Sequence, residues 1–240
     1  DLAFALYTGR DALDVEARAF WDERCARLEL ALAGGYTRAA YDVMGGQVSR
    51  GPLGEVPGGR WVYAEGPDGE VGFASDALYG FNLTPEGVLQ ATVARATRFA
   101  GDAPAGPDDY PWRPVLDSGE LRFRFLLNAE NEALPRLAAE LVEAPLALTV
   151  TPSAGEWARS GSLLSLRPNT VRLLALKPAE DGRGWIIRLH SQTTAASAPE
   201  LTWVGQPIAL PPLEPLELAT YRLEMDADGT WSARRCALLE

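Results

Sequence analysis

Hydrophobic and polar residues alternate with a period of two along much of the chain. The clearest case is ELRFRFLLN, residues 120–128, in which leucine and phenylalanine fall on one side and arginine on the other. The same alternation runs through LDVEARAFW, residues 13–21, and CARLELAL, residues 25–32. Successive side chains of a strand point to opposite faces, so this pattern predicts antiparallel strands with one buried face. The residues predicted to face the core are Leu13, Val15, Ala17, Ala19, Ala26, Leu28, Leu30, Leu32, Leu121, Phe123, Phe125 and Leu127.

One segment has helical spacing instead. In NEALPRLAAELVEAP, residues 131–145, the apolar residues recur every three to four positions. We expect a short amphipathic helix here, with Asn131 as its N-cap, Pro135 near its start and Pro145 closing it. No other stretch departs from the strand pattern in this way.

Many short strands separated by glycine-rich and aspartate-rich turns indicate an all-β fold. Turn sequences such as GPDGE and EDGRG recur between the alternating runs, and Asp-Gly is favoured there because glycine accepts a positive φ without steric cost. The strands become shorter after about residue 167, where a proline-rich stretch follows. We therefore predict two domains, spanning residues 1–166 and 167–240, with a single helix in the first.

Composition narrows the choice of partners. Among its 240 residues the chain has 33 acidic and 22 basic side chains and a net charge of −11, which repels nucleic acid and anionic membranes. No apolar run approaches the roughly 18 residues of a transmembrane helix. Nearly all the basic residues are arginine, and Lys177 is the only lysine, which points to a GC-rich bacterial genome.

The cysteines favour a cytoplasmic protein. There are two of them, Cys25 and Cys236, and so sparse a pair does not form a disulfide framework. We expect free thiols and a cytoplasmic location, although the sequence leaves a bridge between the two open.

The only histidine limits catalytic chemistry. Zinc in a catalytic site normally takes three protein ligands, and His190 cannot supply a histidine-based site alone. A serine nucleophile would need a G-x-S-x-G elbow, which the sequence lacks. We expect His190 to be an ordinary histidine at the surface or at a strand edge, and we assign this chain no catalytic residue and no metal ligand.

Aromatic residues are the remaining candidates for binding, because their rings can stack on sugars. Core packing is the ordinary role of such residues, and the aromatics of a proline-rich loop have the better claim to exposure. For hydrolysis by two carboxylates, the only pair we consider is the adjacent acids of that loop, which fit a solvated loop better. The candidates for carbohydrate binding are Trp61, Tyr79, Tyr110 and Trp112, and the acid pair is Asp108 and Asp109.

Several segments resemble glycoside hydrolase family 38, the α-mannosidases. The resemblance rests on YDVMGGQVSRG at residues 41–51, on the long stretch from GGRWVYAEG to ATVARAT at residues 58–97, and above all on LLALKPAEDGRGWIIRLHS at residues 173–191. The last of these contains the family-like sequence LK-x-(A/S)-ED-G followed by an I-x-R-L strand. LDVEARAFWDERCARLELAL and DSGELRFRFLL are similar to further family segments, and all occur in the family's order.

This resemblance implies a fold and a role. The fold is a supersandwich of the galactose-mutarotase type over residues 1–166, followed by a small β-sandwich over 167–240. The role is that of a non-catalytic C-terminal region of a zinc-dependent, retaining α-mannosidase. Zinc and the catalytic carboxylates would lie on an N-terminal barrel, followed by a helical domain. The implied partners are that barrel, the helical domain and mannose-containing glycans. Since residue 1 is aspartate rather than methionine, we treat the chain as a possible piece of a longer protein.

Two alternatives stay open at this point. A free-standing carbohydrate-binding module would need an exposed aromatic platform beside polar groups. An aldose epimerase would need a histidine near a carboxylate in the larger domain, and His190 falls outside it.

Overall fold

The structure is a computed structural model, and it divides the chain into two compact units. The first unit is Asp1–Ala144 and the second is Pro145–Glu240. The described residues are 1–23, 26–96, 117–143, 145–151, 154–155 and 160–237.

The first unit is built from eleven strands and one helix within the described residues. Its strands are β1 Leu2–Leu6, β2 Leu13–Trp21, β3 Ala26–Ala33, β4 Arg38–Val43, β5 Gly46–Arg50, β6 Gly54–Pro57, β7 Trp61–Gly66, β8 Gly69–Ser75, β9 Gly80–Leu83, β10 Val88–Ala96 and β11 Gly119–Asn128, followed by the helix α1 Leu134–Val142.

Two antiparallel sheets form the sandwich of this unit. The larger sheet has seven strands in the order β1-β2-β11-β8-β7-β4-β5, and the smaller has four in the order β3-β10-β9-β6. The pairing of β11 with β2 and β8 joins residues that are far apart in sequence, such as Phe125 with Val15 and with Ser75. The order of strands therefore could not be deduced from neighbouring segments alone.

The core of the first unit lies between its two sheets. Alternate residues of both sheets meet there, including Val15, Phe73 and Phe125 from the larger sheet and Phe81 and Leu89 from the smaller one. The predicted inward faces of residues 13–21 and 120–128 are confirmed, because Val15, Ala17 and Phe125 are buried and Leu13, Phe123 and Leu127 pack against them.

Helix α1 covers part of the outer face of the seven-stranded sheet. Its apolar side packs on Trp61, Tyr63, Ala74 and Leu126, and this forms a second buried cluster. The predicted amphipathic helix is confirmed, but its predicted cap is wrong. The N-cap is Ala133, with no side-chain cap hydrogen bond, and Pro135 lies in the first turn, where its missing N–H costs nothing.

The second unit is a smaller sandwich of two antiparallel sheets. One sheet has three strands in the order β12-β15-β16 and the other has four in the order β13-β14-β17-β18. The strands are β12 Leu164–Arg167, β13 Val171–Pro178, β14 Trp185–Ser191, β15 Glu200–Trp203, β16 Gln206–Ile208, β17 Leu218–Met225 and β18 Trp231–Cys236.

Aliphatic residues and tryptophans fill the core of the second unit. Ile187 and Leu189 of β14 are fully buried, and Trp203 lies 5.5 Å from Trp185 and 6.0 Å from Trp231 between ring centroids. His190 is buried as well, with 7% of its surface exposed, so the expected position at the surface or a strand edge is wrong. The reason is that β14 is an inner strand, paired on both sides.

The all-β class is confirmed by the eighteen strands and single helix of the described residues. The sequence predicts a boundary between residues 166 and 167, whereas the two units of the structure meet between Ala144 and Pro145. Residues 164–167 form β12, which pairs with β15 of the second unit.

Candidate functional site

The outer face of the seven-stranded sheet is open where α1 does not cover it. In this open part of the sheet, the register pairs Arg124 of β11 with Glu16 of β2, and Arg122 of β11 with Arg18 of β2. These four side chains therefore share one face, opposite the buried Val15, Ala17 and Phe125 and the half-buried Phe123.

Strand β1 turns this face into a groove. Its sequence LAFAL places Ala3 opposite Glu16 and Ala5 opposite Asp14. Because alanine is small, the carboxylates of β2 are not overlaid by the neighbouring strand. Two cavities that share lining residues lie along it, with volumes of about 460 and 300 Å³. We call them together the β1–β2–β11 groove.

Two of the arginines of the groove are held by one carboxylate. The Nε of Arg122 donates to Glu120 at 2.8 Å, and the Nε of Arg18 donates to the same oxygen. These hydrogen bonds, from Arg122 first and Arg18 second, lower the pKa of the Glu120 carboxyl. Glu120 is therefore ionised at neutral pH and its two arginines are already paired.

Arg124 is held still more firmly. Its Nε donates to Asp76 at 3.0 Å, its backbone N–H donates to the other oxygen of Asp76 at 2.8 Å, and its Nη2 donates to the carbonyl of Leu141 at 2.7 Å. The hydroxyl of Ser75 also donates to the carbonyl of Arg124 at 3.0 Å. This network joins the end of β8 and the last turn of α1 to β11.

The carboxylate of Glu16 is different. It is exposed, it lines both cavities, and no ion-pair partner for it is found in the part of the chain that the structure describes. In the larger cavity, the side chains carry no net formal charge, because Arg18, Arg122 and Arg124 balance Asp1, Glu16 and Asp76. The N-terminal amine of Asp1 adds one positive charge, and it donates to the carbonyl of Arg18 at 2.7 Å. Such a lining offers many hydrogen-bonding groups without a strong preference for an anion or a cation.

The candidates from the sequence fall in different places. Trp61 is 5% exposed and packs beneath α1, so its indole presents no open face in this structure. Tyr79 is 53% exposed, and its hydroxyl donates at 3.3 Å to the carbonyl of Asp76, whose side chain lines the groove. Tyr110 and Trp112 lie outside the described residues, as do Asp108 and Asp109.

The sequence reading missed Tyr7. This residue follows β1, is 60% exposed and lines the smaller cavity with Asp14, Glu16 and Arg124. The sequence gives little indication of Tyr7, because the strand LAFAL before it is short. The residues beside Tyr7 in the cavity are known only once the strand register is known.

Among the described residues, no three or more histidine, cysteine, aspartate or glutamate side chains come together as a metal-binding group. Over the same residues, no helix has the length and apolar character needed to cross a membrane.

Fold and groove together define a two-unit, all-β chain with a groove of mixed polarity on its first unit. No family model matches its sequence, and no curated protein matches it either.

Solved structures do match it. One is a protein in glycosyl hydrolase family 38 from Enterococcus faecalis, with a TM-score of 0.79 and 18% identity over 92% of this chain and 29% of that one. Another is an alpha-mannosidase from Enterococcus faecalis V583, with a TM-score of 0.78 and 18% identity over 92% of this chain and 28% of that one.

This structural likeness confirms the fold that the resemblance of the sequence segments implies. The chain spans less than a third of the length of either solved structure.

Proposed function

We propose that this chain is a non-catalytic, β-sandwich region of an α-mannosidase of glycoside hydrolase family 38. The observation that carries the proposal is the match itself, which takes in 92% of this chain and only 28–29% of the two solved chains. A match to less than a third of each solved chain fits a region that supports a catalytic part elsewhere in a longer polypeptide.

The surface of β1 favours such a role. Leu2, Phe4 and Leu6 alternate with the alanines of the groove, and each has more than half of its surface exposed. Among the described residues, β1 is also the edge strand of its sheet, with β2 as its one paired neighbour. Apolar side chains exposed together on an edge strand are normally covered in the working protein. We assign the covering to the rest of the longer polypeptide, because most of the length of the solved chains lies outside the matched region.

The chemistry of the parent would be hydrolysis of terminal α-mannosides with zinc. We place the zinc and the catalytic carboxylates in the other part of the polypeptide, since this chain has a single histidine and zinc in catalytic sites normally takes three protein ligands. No step of the reaction is assigned to residues of this chain. The partners proposed for it are the catalytic barrel and the helical domain of the same polypeptide, in the cytoplasm.

Turnover by the isolated chain tests the proposal. The purified chain is incubated with an aryl α-mannoside, with and without added Zn²⁺, beside a zinc-dependent α-mannosidase as the positive control. We expect no release of the aryl alcohol above the blank. Activity that copurifies with the chain through independent preparations would overturn the non-catalytic role.

The gene provides a second test of the same proposal. Translation of the reading frame upstream of residue 1 should give an α/β barrel with a His-x-Asp motif. A stop codon directly upstream, with no such barrel, would contradict it.

Carbohydrate binding by the chain itself is a second candidate function. The observation that favours it is the β1–β2–β11 groove, which combines carboxylates and arginines with apolar residues, as in sites for small ligands. This function is compatible with the first, since a supporting region can also hold part of a glycan.

A further inference from the structure

We propose that the β1–β2–β11 groove binds a neutral pyranose sugar, with the ring of Tyr7 stacked on the sugar and the carboxylate of Glu16 accepting hydrogen bonds from its hydroxyls. The inference deepens the second candidate function by naming the site and the ligand class. It does not depend on the supporting role proposed for the chain.

The charges of the groove select against anions. Three arginines line the larger cavity, but Glu120 holds two of them and Asp76 holds the third. An anion would have to compete with these carboxylates, whereas a neutral hydroxyl can share the remaining donors. Guanidinium and carboxylate groups are the strong, geometrically specific partners for such hydroxyls.

The charges select against cations as well. Asp14 is paired with Arg10 at 3.3 Å, and Arg124 lies in the smaller cavity with Asp14 and Glu16. A cation would therefore find the Asp14 carboxylate already paired, and the Glu16 carboxylate beside its cross-strand neighbour Arg124. The combination suits a ligand that carries many hydroxyls and no charge.

Tyr7 supplies what the carboxylates lack. A pyranose has an apolar C–H face and a rim of hydroxyls, and an exposed aromatic ring beside carboxylates matches both. Tyr7 and Glu16 line the same cavity of about 300 Å³, at the lower end of the roughly 300–1,000 Å³ usual for ligand pockets. The neighbouring cavity of about 460 Å³ shares Glu16 and Arg124 with it, and so leaves room for a second sugar unit.

Calorimetric titration of the chain with methyl α-mannoside and with mannobiose tests the proposal. We expect saturable binding of both, tighter for the disaccharide, and no competition from inorganic sulfate. Tyr7→Ala and Glu16→Ala should each weaken binding on the order of tenfold, because each removes one of the two contacts. Both side chains are exposed, so near-ultraviolet circular dichroism should show unchanged folding.

Tyr79→Ala is the matched control. Tyr79 is exposed to a similar extent as Tyr7, 53% against 60%, but does not line either cavity. It should leave the Kd within about twofold of the parent value, because the hydroxyl of Tyr79 bonds the backbone carbonyl of Asp76 and not a side chain that lines either cavity.

Three results would overturn the site. The first is that neither sugar gives a heat of binding at the highest concentration tested. The second is that Tyr79→Ala removes binding while Tyr7→Ala does not. The third is that sulfate displaces the sugar. None of these results affects the outcome of the turnover assay with the aryl α-mannoside. Failure of the sugar site can therefore be distinguished from failure of the non-catalytic role.

Discussion

Phe73 connects the two sheets of the first unit through its neighbours. Its side chain is fully buried. The ring lies edge-on to that of Phe81 in the smaller sheet, with 5.9 Å between the ring centroids, and stacks on that of Phe125 in its own sheet, with 5.5 Å between the centroids. Aromatic pairs of this geometry contribute more than their buried area alone. The sandwich is thus held at this point by a single side chain that touches rings of both layers.

Replacing Phe73 with alanine should lower the free energy of unfolding by about 3–5 kcal/mol, the usual cost of removing a buried phenylalanine. Phe20→Ala is the control, because Phe20 is 82% exposed and should change stability by no more than about 0.5 kcal/mol. Urea denaturation of both variants measures the difference. Equal effects of the two substitutions would contradict the packing described for Phe73.

Asp181 makes the second unit sensitive to pH. Both of its carboxylate oxygens accept from the Nη2 of Arg222, at 2.8 and 2.6 Å, and one also accepts from the backbone N–H of Arg183 at 2.9 Å. The hydrogen bond from Arg222 is the main cause that lowers the pKa of this carboxyl in the folded chain, and the backbone bond adds to it.

Because the folded pKa lies below the unfolded value of about 3.9, the stabilisation is present above that pH and is lost as the pH falls through the folded pKa. The difference in unfolding free energy between the parent chain and Asp181→Asn should therefore be constant near neutrality and shrink in acid. Arg222→Met should reduce that pH dependence to the smaller part that comes from the backbone hydrogen bond of Arg183. Chemical denaturation over a pH series measures it, and a difference that grows in acid would refute the pairing.

Among the elements, the β13–β14 hairpin shows how a turn sets a register. Gly182 and Gly184 both have a positive φ, of 74° and 82°. A Cβ on Gly184 would lie 2.1 Å from the carbonyl oxygen of Leu223 in β17, whereas one on Gly182 would meet nothing within 4 Å. The first glycine is required by backbone conformation alone, and the second also by the close approach of the neighbouring strand.

We expect Gly184→Ala to destabilise the second unit by clearly more than Gly182→Ala. Both substitutions place alanine at a positive φ, which costs about 1 kcal/mol or more, but only Gly184→Ala also forces β17 to move. Thermal unfolding of the two variants makes the comparison. A smaller loss for Gly184→Ala than for Gly182→Ala would show that the strand does not approach so closely.

The strands were predictable where alternation was long and strict. Strict alternation runs over residues 13–19 and 120–125, until Phe20 and Leu126 break it, and both segments form the expected faces. LAFAL, at residues 2–6, is too short to be assigned by itself, and burial of His190 depends on which strands flank β14. The groove was not predictable, because it needs the pairing of β2 with β11, which are about 100 positions apart in the chain and are matched only by tertiary packing.

At the scale of the whole molecule, each unit has its own hydrophobic core. The first is centred on the two sheets around Phe73 and on the cluster beneath α1. The second is centred on Ile187, Leu189 and Trp203. A core contained within one segment is what allows a domain to fold alone.

Residues 145–240 produced alone should therefore fold. We expect a cooperative thermal transition with dispersed amide signals in the nuclear magnetic resonance spectrum, as for a small single domain. The Leu189→Ala variant of the same segment is the control and should lose about 2–5 kcal/mol, because Leu189 is fully buried. A broad, non-cooperative transition of the parent segment would show that its core is incomplete.

The alternation of β1 has a consequence for how the gene can change. Ala3 and Ala5 share the face of Glu16 and Asp14, while Leu2, Phe4 and Leu6 share the opposite face. Leu2 and Phe4 also border the two cavities. Deleting or inserting a single codon within this strand would exchange the two sets, since one step in register turns every side chain over. Phenylalanine and leucine side chains would then project into the β1–β2–β11 groove, and alanines would take the place of the larger apolar side chains on the opposite face. Descendants that keep both surfaces must therefore change this strand by point substitution rather than by a shift in its length.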